Sequence, residues 1–119
     1  MPDKTLTKAE EQVMQAVWSA DHAFLKDILE AMPVPKPHSN TVATILKILI
    51  EKGFVEAKPE GRNNRYSALI SREDYSSFRM NHVVRSYFDG SYSNAVSFLV
   101  DQKQLSVADL ELLLKQLKK

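Results

Sequence analysis

At Gly53 the spacing of the apolar residues changes from helical to alternating, and that switch restricts the fold more than any other feature of the chain. Upstream, in "SNTVATILKILIEKG", Val42, Ile45, Leu46 and Leu49 fall on one side of a helix at about 100° per residue. Asn40, Thr44, Lys47 and Glu51 fall on the other side. Ser39 is expected as the N-cap, and Gly53 as the residue just past the helix end, where only glycine turns left-handed without cost. Downstream, "FVEAK" alternates apolar and polar, "PEGRNN" has turn chemistry, and "RYSALI" reads as a returning strand. A β-hairpin with a basic tip follows directly on a helix.

Two helices precede this one, the second of them short. Thr7 and Glu10 form a capping-box pattern, and Ala9, Val13, Met14, Val17 and Trp18 then recur at helical spacing. "SADHA" breaks that helix. Phe24, Leu25, Ile28, Leu29 and Met32 build the second, which "PVPKPH" ends, because prolines cannot continue a helix. Three helices followed by a basic hairpin is the order of a winged helix-turn-helix, in which the third helix enters the DNA major groove and the hairpin touches the flanking backbone.

The third helix suits that task. Its outward end is short-limbed and uncharged where a surface helix ordinarily carries Glu and Lys. Asn40 can pair with adenine, Thr41 and Thr44 can bond phosphate or base, Ala43 permits close approach, and Lys47 can reach a phosphate. Arg62 and Arg65 in the hairpin can do the same. The bland alternative is that Ser, Thr and Asn merely cap the helix start and the hairpin arginines are solvated.

Charge distribution agrees with the DNA reading. The 119 residues carry a net charge of only +1. Residues 1–35 hold Lys4, Lys8 and Lys26 against Asp3, Glu10, Glu11, Asp21, Asp27 and Glu30. Residues 36–65 reverse the balance, with Lys36, Lys47, Lys52, Lys58, Arg62 and Arg65 against Glu51, Glu56 and Glu60. The basic excess therefore coincides with the third helix and the hairpin.

After the hairpin, Ser71 with Asp74 marks a helix start, and Tyr75, Phe78, His82, Val83, Tyr87 and Phe88 recur at helical spacing. "DGS" at Asp89–Ser91 stops it. "NAVSFLV" is a short apolar helix and "DQKQ" a turn. Ser106 with Asp109 caps a last helix, in which Leu110, Leu113, Leu114 and Leu117 follow the i, i+3, i+4, i+7 pattern. Three short helices cannot bury that much apolar surface alone, and a symmetric homodimer is the expected remedy, the bland alternative being that they fold back on the N-terminal core. Tyr87, Phe88, Val96, Leu99, Leu110, Leu113, Leu114 and Leu117 are the candidate dimerisation residues. The expected fold is mainly α with a small β-hairpin wing. Residues 1–70 form the winged helix-turn-helix domain and residues 71–119 a helical dimerisation domain.

No catalytic constellation is visible. His22, His38 and His82 lack metal-ligand spacing, and no HExxH occurs. Glu10–Glu11 and Glu73–Asp74 sit in first helical turns, where the helix dipole accounts for them. With no cysteine there is neither a disulfide framework nor a thiolate metal site. Neither an enzyme nor a cofactor or metal is expected. No apolar run approaches the ~18 residues of a membrane span, and the polar start "MPDKTLTKAEEQ" lacks a signal-peptide core. A cytoplasmic protein without membrane insertion is expected.

"LTKAEEQVMQAVW", "NTVATILKILIEKGFV" and "YFDGSYSNAVSFLVDQKQLSVADLELLLKQL" together resemble the penicillinase-repressor family of BlaI/MecI type, from about Leu6 to Leu117. The resemblance implies a dimeric transcriptional repressor on a palindromic double-stranded DNA operator. It places Thr41, Ala43 and Thr44 against bases and phosphates, and Arg62 and Arg65 in the wing. Family members often carry a basic residue where this chain has Ala43, so the operator sequence is expected to differ. The penicillinase branch implies a further partner, a membrane sensor protease that cuts the penultimate helix at an Asn-Phe bond. The equivalent place is Phe98–Leu99, or Ser97–Phe98 with a one-residue slip, and Asn-Phe is absent here. The copper-responsive branch uses C-terminal cysteines, which this chain lacks. The alternative reading is a winged-helix adaptor that binds other proteins and no DNA.

Overall fold

A computed structural model describes residues 5–20 and 22–117. Of the charges counted above, Asp3, Lys4, Asp21, Lys118 and Lys119 lie outside the described residues. The elements run α1 (Lys8–Ala20), α2 (Leu25–Ala31), α3 (Ser39–Glu51), β1 (Val55–Glu60), β2 (Asn63–Ala68), α4 (Arg72–Tyr87), α5 (Tyr92–Asp101) and α6 (Val107–Leu117). The mainly helical architecture with one antiparallel hairpin is that of a winged helix. The chain divides into two compact units, Met1–Tyr75 and Ser76–Lys119.

In the first unit the apolar stripes of α1, α2 and α3 converge. Val13, Met14, Val17, Ile28, Val42, Leu46 and Leu49 are fully buried, with Phe54 and Val55 closing the core from the hairpin side. Burying each such side chain stabilises by about 1.5–3 kcal/mol. Ala9, expected on the α1 stripe, is exposed, while Ala16 is buried. The buried face of α1 instead starts at Glu10, whose carboxylate takes the Thr7 N–H at 3.0 Å while the Thr7 hydroxyl takes the Glu10 N–H at 3.1 Å. The capping box that the sequence suggests is thus formed, with its acid turned inward.

The start of α3 differs from expectation. Ser39 is the first helical residue, and His38 is the N-cap, extended at φ −65° and ψ 144°. Its ring Nδ1 accepts the Asn40 N–H at 3.1 Å, the bond a cap hydroxyl would otherwise make. The end of α3 is as expected. Gly53 adopts φ +83°, the Phe54 N–H reaches Leu49 O at 2.9 Å, and the Gly53 N–H reaches Ile50 O at 3.1 Å. Both bonds of a Schellman closure are present.

The hairpin is longer and its turn tighter than "PEGRNN" suggests. Pairing runs from Val55↔Ala68 to Glu60↔Asn63, which leaves Gly61 and Arg62 as the two-residue turn. Gly61 has φ +66°, at the first central position, where a type II′ turn demands glycine. Leu69, read as strand, lies beyond β2 and is exposed. Ala23, between α1 and α2, pairs with Tyr66 through two backbone bonds of 3.0 and 2.8 Å, so the wing gains a one-residue third strand. The unit is closed by Trp18, Phe54 and Tyr75. The Tyr75 ring lies 5.9 Å from Trp18 and 5.7 Å from Phe54, and its hydroxyl donates to Glu11 at 3.0 Å.

In the second unit the end of α4 is followed by Asp89 and Gly90, both with positive φ. Ser91 caps α5 by accepting the Asn94 N–H at 3.1 Å. Ser106 and Asp109 form a reciprocal box at the start of α6, with bonds of 3.0 and 3.1 Å. Among the described residues of this unit only Val84 is buried.

Candidate nucleic-acid interface

Because Val42, Leu46 and Leu49 point into the core, α3 must turn its other side outward. Ser39, Asn40, Thr41, Thr44 and Lys47 are all exposed, and Ala43 between them is half-buried. The first turn of α3 carries no acidic side chain, so nothing there repels a phosphate. The structure therefore brings six of the sequence-selected residues onto one helix and one surface. The Thr44 hydroxyl donates to Asn40 O at 2.9 Å, along the helix.

The fate of the six basic residues in 36–65 was not legible in the sequence. The Lys36 ammonium donates to Leu29 O, Glu30 O and Met32 O at 2.9–3.0 Å, capping the end of α2. Lys52 pairs with Glu10 at 2.6 Å, and Lys58 pairs with Glu56 at 3.4 Å in solvent. Arg65 is held from three sides. Its Nε pairs with Glu60, its Nη1 donates to His22 O at 2.7 Å, and its guanidinium sits 4.7 Å above the Phe24 ring. Among the described residues, Lys47 on α3 and Arg62 at the hairpin turn form no ion pair, and both are exposed. They are the cations best placed to meet a polyanion, while Arg65 fastens the wing to the segment before α2.

His38, which lacks metal-ligand spacing in the sequence, serves here as the N-cap of α3. Since the Asn40 N–H can only donate, His38 Nδ1 must be the unprotonated nitrogen, and the neutral ring carries its proton on Nε2. A histidine followed by Ser-Asn at a helix start is the only signal that could have marked it.

A second surface lies on the second unit. Tyr87 is 78% exposed and Leu117 80%. Val96, Leu99, Leu113 and Leu114 are also exposed, and Phe88 and Leu110 are half-buried. Between α4 and α5 a cavity of about 290 Å³ is lined wholly by apolar residues, among them Val84, Phe88, Phe98 and Leu99. The Phe88 and Phe98 rings lie 5.4 Å apart. His82 is exposed. Among the described residues there is no cluster of side chains able to hold a metal ion, and no helix is long and apolar enough to cross a membrane.

Residues 6–119 match the family model described as penicillinase repressor. The chain is 26% identical over 114 residues to the methicillin resistance regulatory protein MecI of Staphylococcus aureus (strain N315), covering 93% of each chain. It is 28% identical over 110 residues to an uncharacterized 16.5 kDa protein of Latilactobacillus sakei, covering 88% of this chain and 73% of that one. It is 24% identical over 102 residues to the penicillinase repressor of Bacillus licheniformis, covering 85% and 80% respectively.

Proposed function

The chain belongs to the penicillinase repressor family, whose members are transcriptional repressors and not enzymes, and from that premise we propose that it acts as a homodimer on a palindromic DNA operator. Each copy lays the outward end of α3 in a major groove, with Asn40, Thr41, Ala43 and Thr44 facing bases and sugar-phosphate. Lys47 and the wing-tip Arg62 contact phosphates. The observation that carries this reading is the division of α3 into a buried apolar side and an exposed, slim, acid-free side in its first turns.

Pairing of two copies is supported by the second unit. Among its described residues only Val84 is buried, too little core for the unit to be stable unaided. The leucines of α6 and the apolar cavity beside Phe98 are complementary in chemistry, and an interleaved interface would bury on the order of 2,000 Å². Two half-sites would then lie one or two helical turns apart, at ~34 Å per turn.

Induction by a membrane sensor protease would act at Phe98–Leu99 or Ser97–Phe98. Both bonds lie inside α5, with Phe98 O accepting the Gln102 N–H and Leu99 O the Gln104 N–H, each at 2.9 Å. A protease would have to unwind that helix first. The cut would separate α6 and its leucines from the rest, weaken the dimer and abolish simultaneous binding of two half-sites.

The test uses the duplex that the full chain enriches from a random-sequence pool. Its log affinity should fall linearly with log salt, and Lys47→Ala and Arg62→Ala should each reduce the slope by about 0.9 for every phosphate no longer neutralised. Enrichment of no sequence, or a salt-independent affinity, would refute the reading.

A further inference from the structure

The backbone of Asn40 fixes the hydrogen-bond polarity of two side chains, one on α3 and one at its N-cap. Its N–H occupies Nδ1 of His38, and its carbonyl occupies the proton of the Thr44 hydroxyl, at 2.9 Å. A carbonyl oxygen has no proton to give, so the Thr44 hydroxyl is the donor in that bond. What Thr44 offers outward is therefore oxygen lone pairs and a methyl group.

That assignment restricts what Thr44 can touch in DNA. While that bond is kept, phosphate oxygens, guanine O6 and N7, thymine O4 and adenine N7, all acceptors, find no proton on it. The donors in the major groove are the exocyclic amino groups of adenine (N6) and cytosine (N4). Resting on the DNA-binding reading above, we infer that Thr44 is a specificity-determining residue that accepts a hydrogen bond from one such amino group, and that it does not bond phosphate. His38 has the opposite polarity, since its neutral ring presents an Nε2–H that suits an acceptor. The two side chains thus distinguish donors from acceptors at the same helix start.

The test is a double cycle between protein and DNA. Thr44→Val keeps the methyl group and the shape and removes the acceptor, whereas Thr44→Ser keeps the acceptor. In the enriched duplex, single adenines are replaced by purine and single cytosines by 2-pyrimidinone, each of which lacks the amino group. Thr44→Val should weaken binding to the intact duplex roughly tenfold with an unchanged salt slope. At one position per half-site, removing the amino group should weaken the wild-type protein by a similar factor and Thr44→Val no further. Thr44→Ser should behave as wild type. Full additivity at every position would overturn the inference, as would coupling of Thr44→Val to a methylphosphonate in place of one phosphate, which would mean that the hydroxyl bonds phosphate. In both cases wild-type binding, with its salt dependence, would leave the DNA reading standing. Absence of any duplex binding by the wild-type protein would remove both.

Discussion

The ammonium of Lys52, at the end of α3, lies 2.6 Å from the carboxylate of Glu10, in the first turn of α1. The same carboxylate accepts the Thr7 N–H. One buried acid thus ties the start of the first helix to the end of the helix that carries the candidate recognition surface, across 42 positions of sequence. Removing the cation alone strands a charge in a nearly closed site. Lys52→Met is expected to lower unfolding free energy in urea by about 2 kcal/mol. Adding Glu10→Gln should restore part of that loss, because no unpaired charge remains. A loss in the double variant equal to the sum of the two single-variant losses would mean that the pair is not coupled.

The same site sets an acid limit. Burial pushes the Glu10 carboxyl upward, but the Lys52 hydrogen bond and charge and the Thr7 bonds outweigh it, leaving the group below the usual glutamate range. Asp109 is lowered too, by the Ser106 backbone N–H and hydroxyl. A carboxylate depressed in the folded state contributes stability that is complete above its unfolded pKa, ~4, and is lost as pH falls through its lower folded value. The urea midpoint of the wild-type chain should therefore drop more steeply below about pH 4.5 than that of Glu10→Gln. Parallel profiles for the two would contradict the assignment.

Arg65 and Arg62 should separate cleanly. Arg65 is clasped by Glu60, His22 O and Phe24, whereas Arg62 projects at the turn. Arg65→Ala is expected to cost about 1 kcal/mol of stability and to weaken duplex binding without reducing the salt slope. Pairing it with Glu60→Ala should recover part of the binding, by removing the acid left beside the phosphates. Arg62→Ala should show the reverse pattern, with stability kept and slope reduced. If Arg65→Ala alone reduces the slope, its guanidinium leaves Glu60 to meet DNA.

Much of this fold could be read from local chemistry. Thr7–Glu10, Ser71–Asp74 and Ser106–Asp109 each mark a helix start through bonds three residues apart, and the structure forms all three caps. Gly53 marks the end of α3 because few other residues tolerate its backbone angle. What was not legible depends on distant partners. The Ala23–Tyr66 bridge joins residues 43 positions apart and involves a single residue on one side, too short for any alternating pattern. The basic excess of residues 36–65 pointed to α3 and the wing, yet Lys36, Lys52 and Arg65 are bound within the protein, and a count of charges cannot see pairing. His38 as a cap escaped because histidine accepts only in one tautomer and has no strong preference for that position. On the candidate site, the α3 residues were legible because they are defined by which side of one helix is buried.

Two copies joined through α4–α6 and set on one operator are best tested by sedimentation equilibrium of the full chain, free and with the enriched duplex. A dimer at micromolar concentration and two chains per duplex are expected. Leu113→Glu with Leu114→Glu should give a monomer that retains a folded first unit and loses tight duplex binding. A monomeric wild-type chain, or one chain per duplex at saturation, would contradict the dimeric repressor.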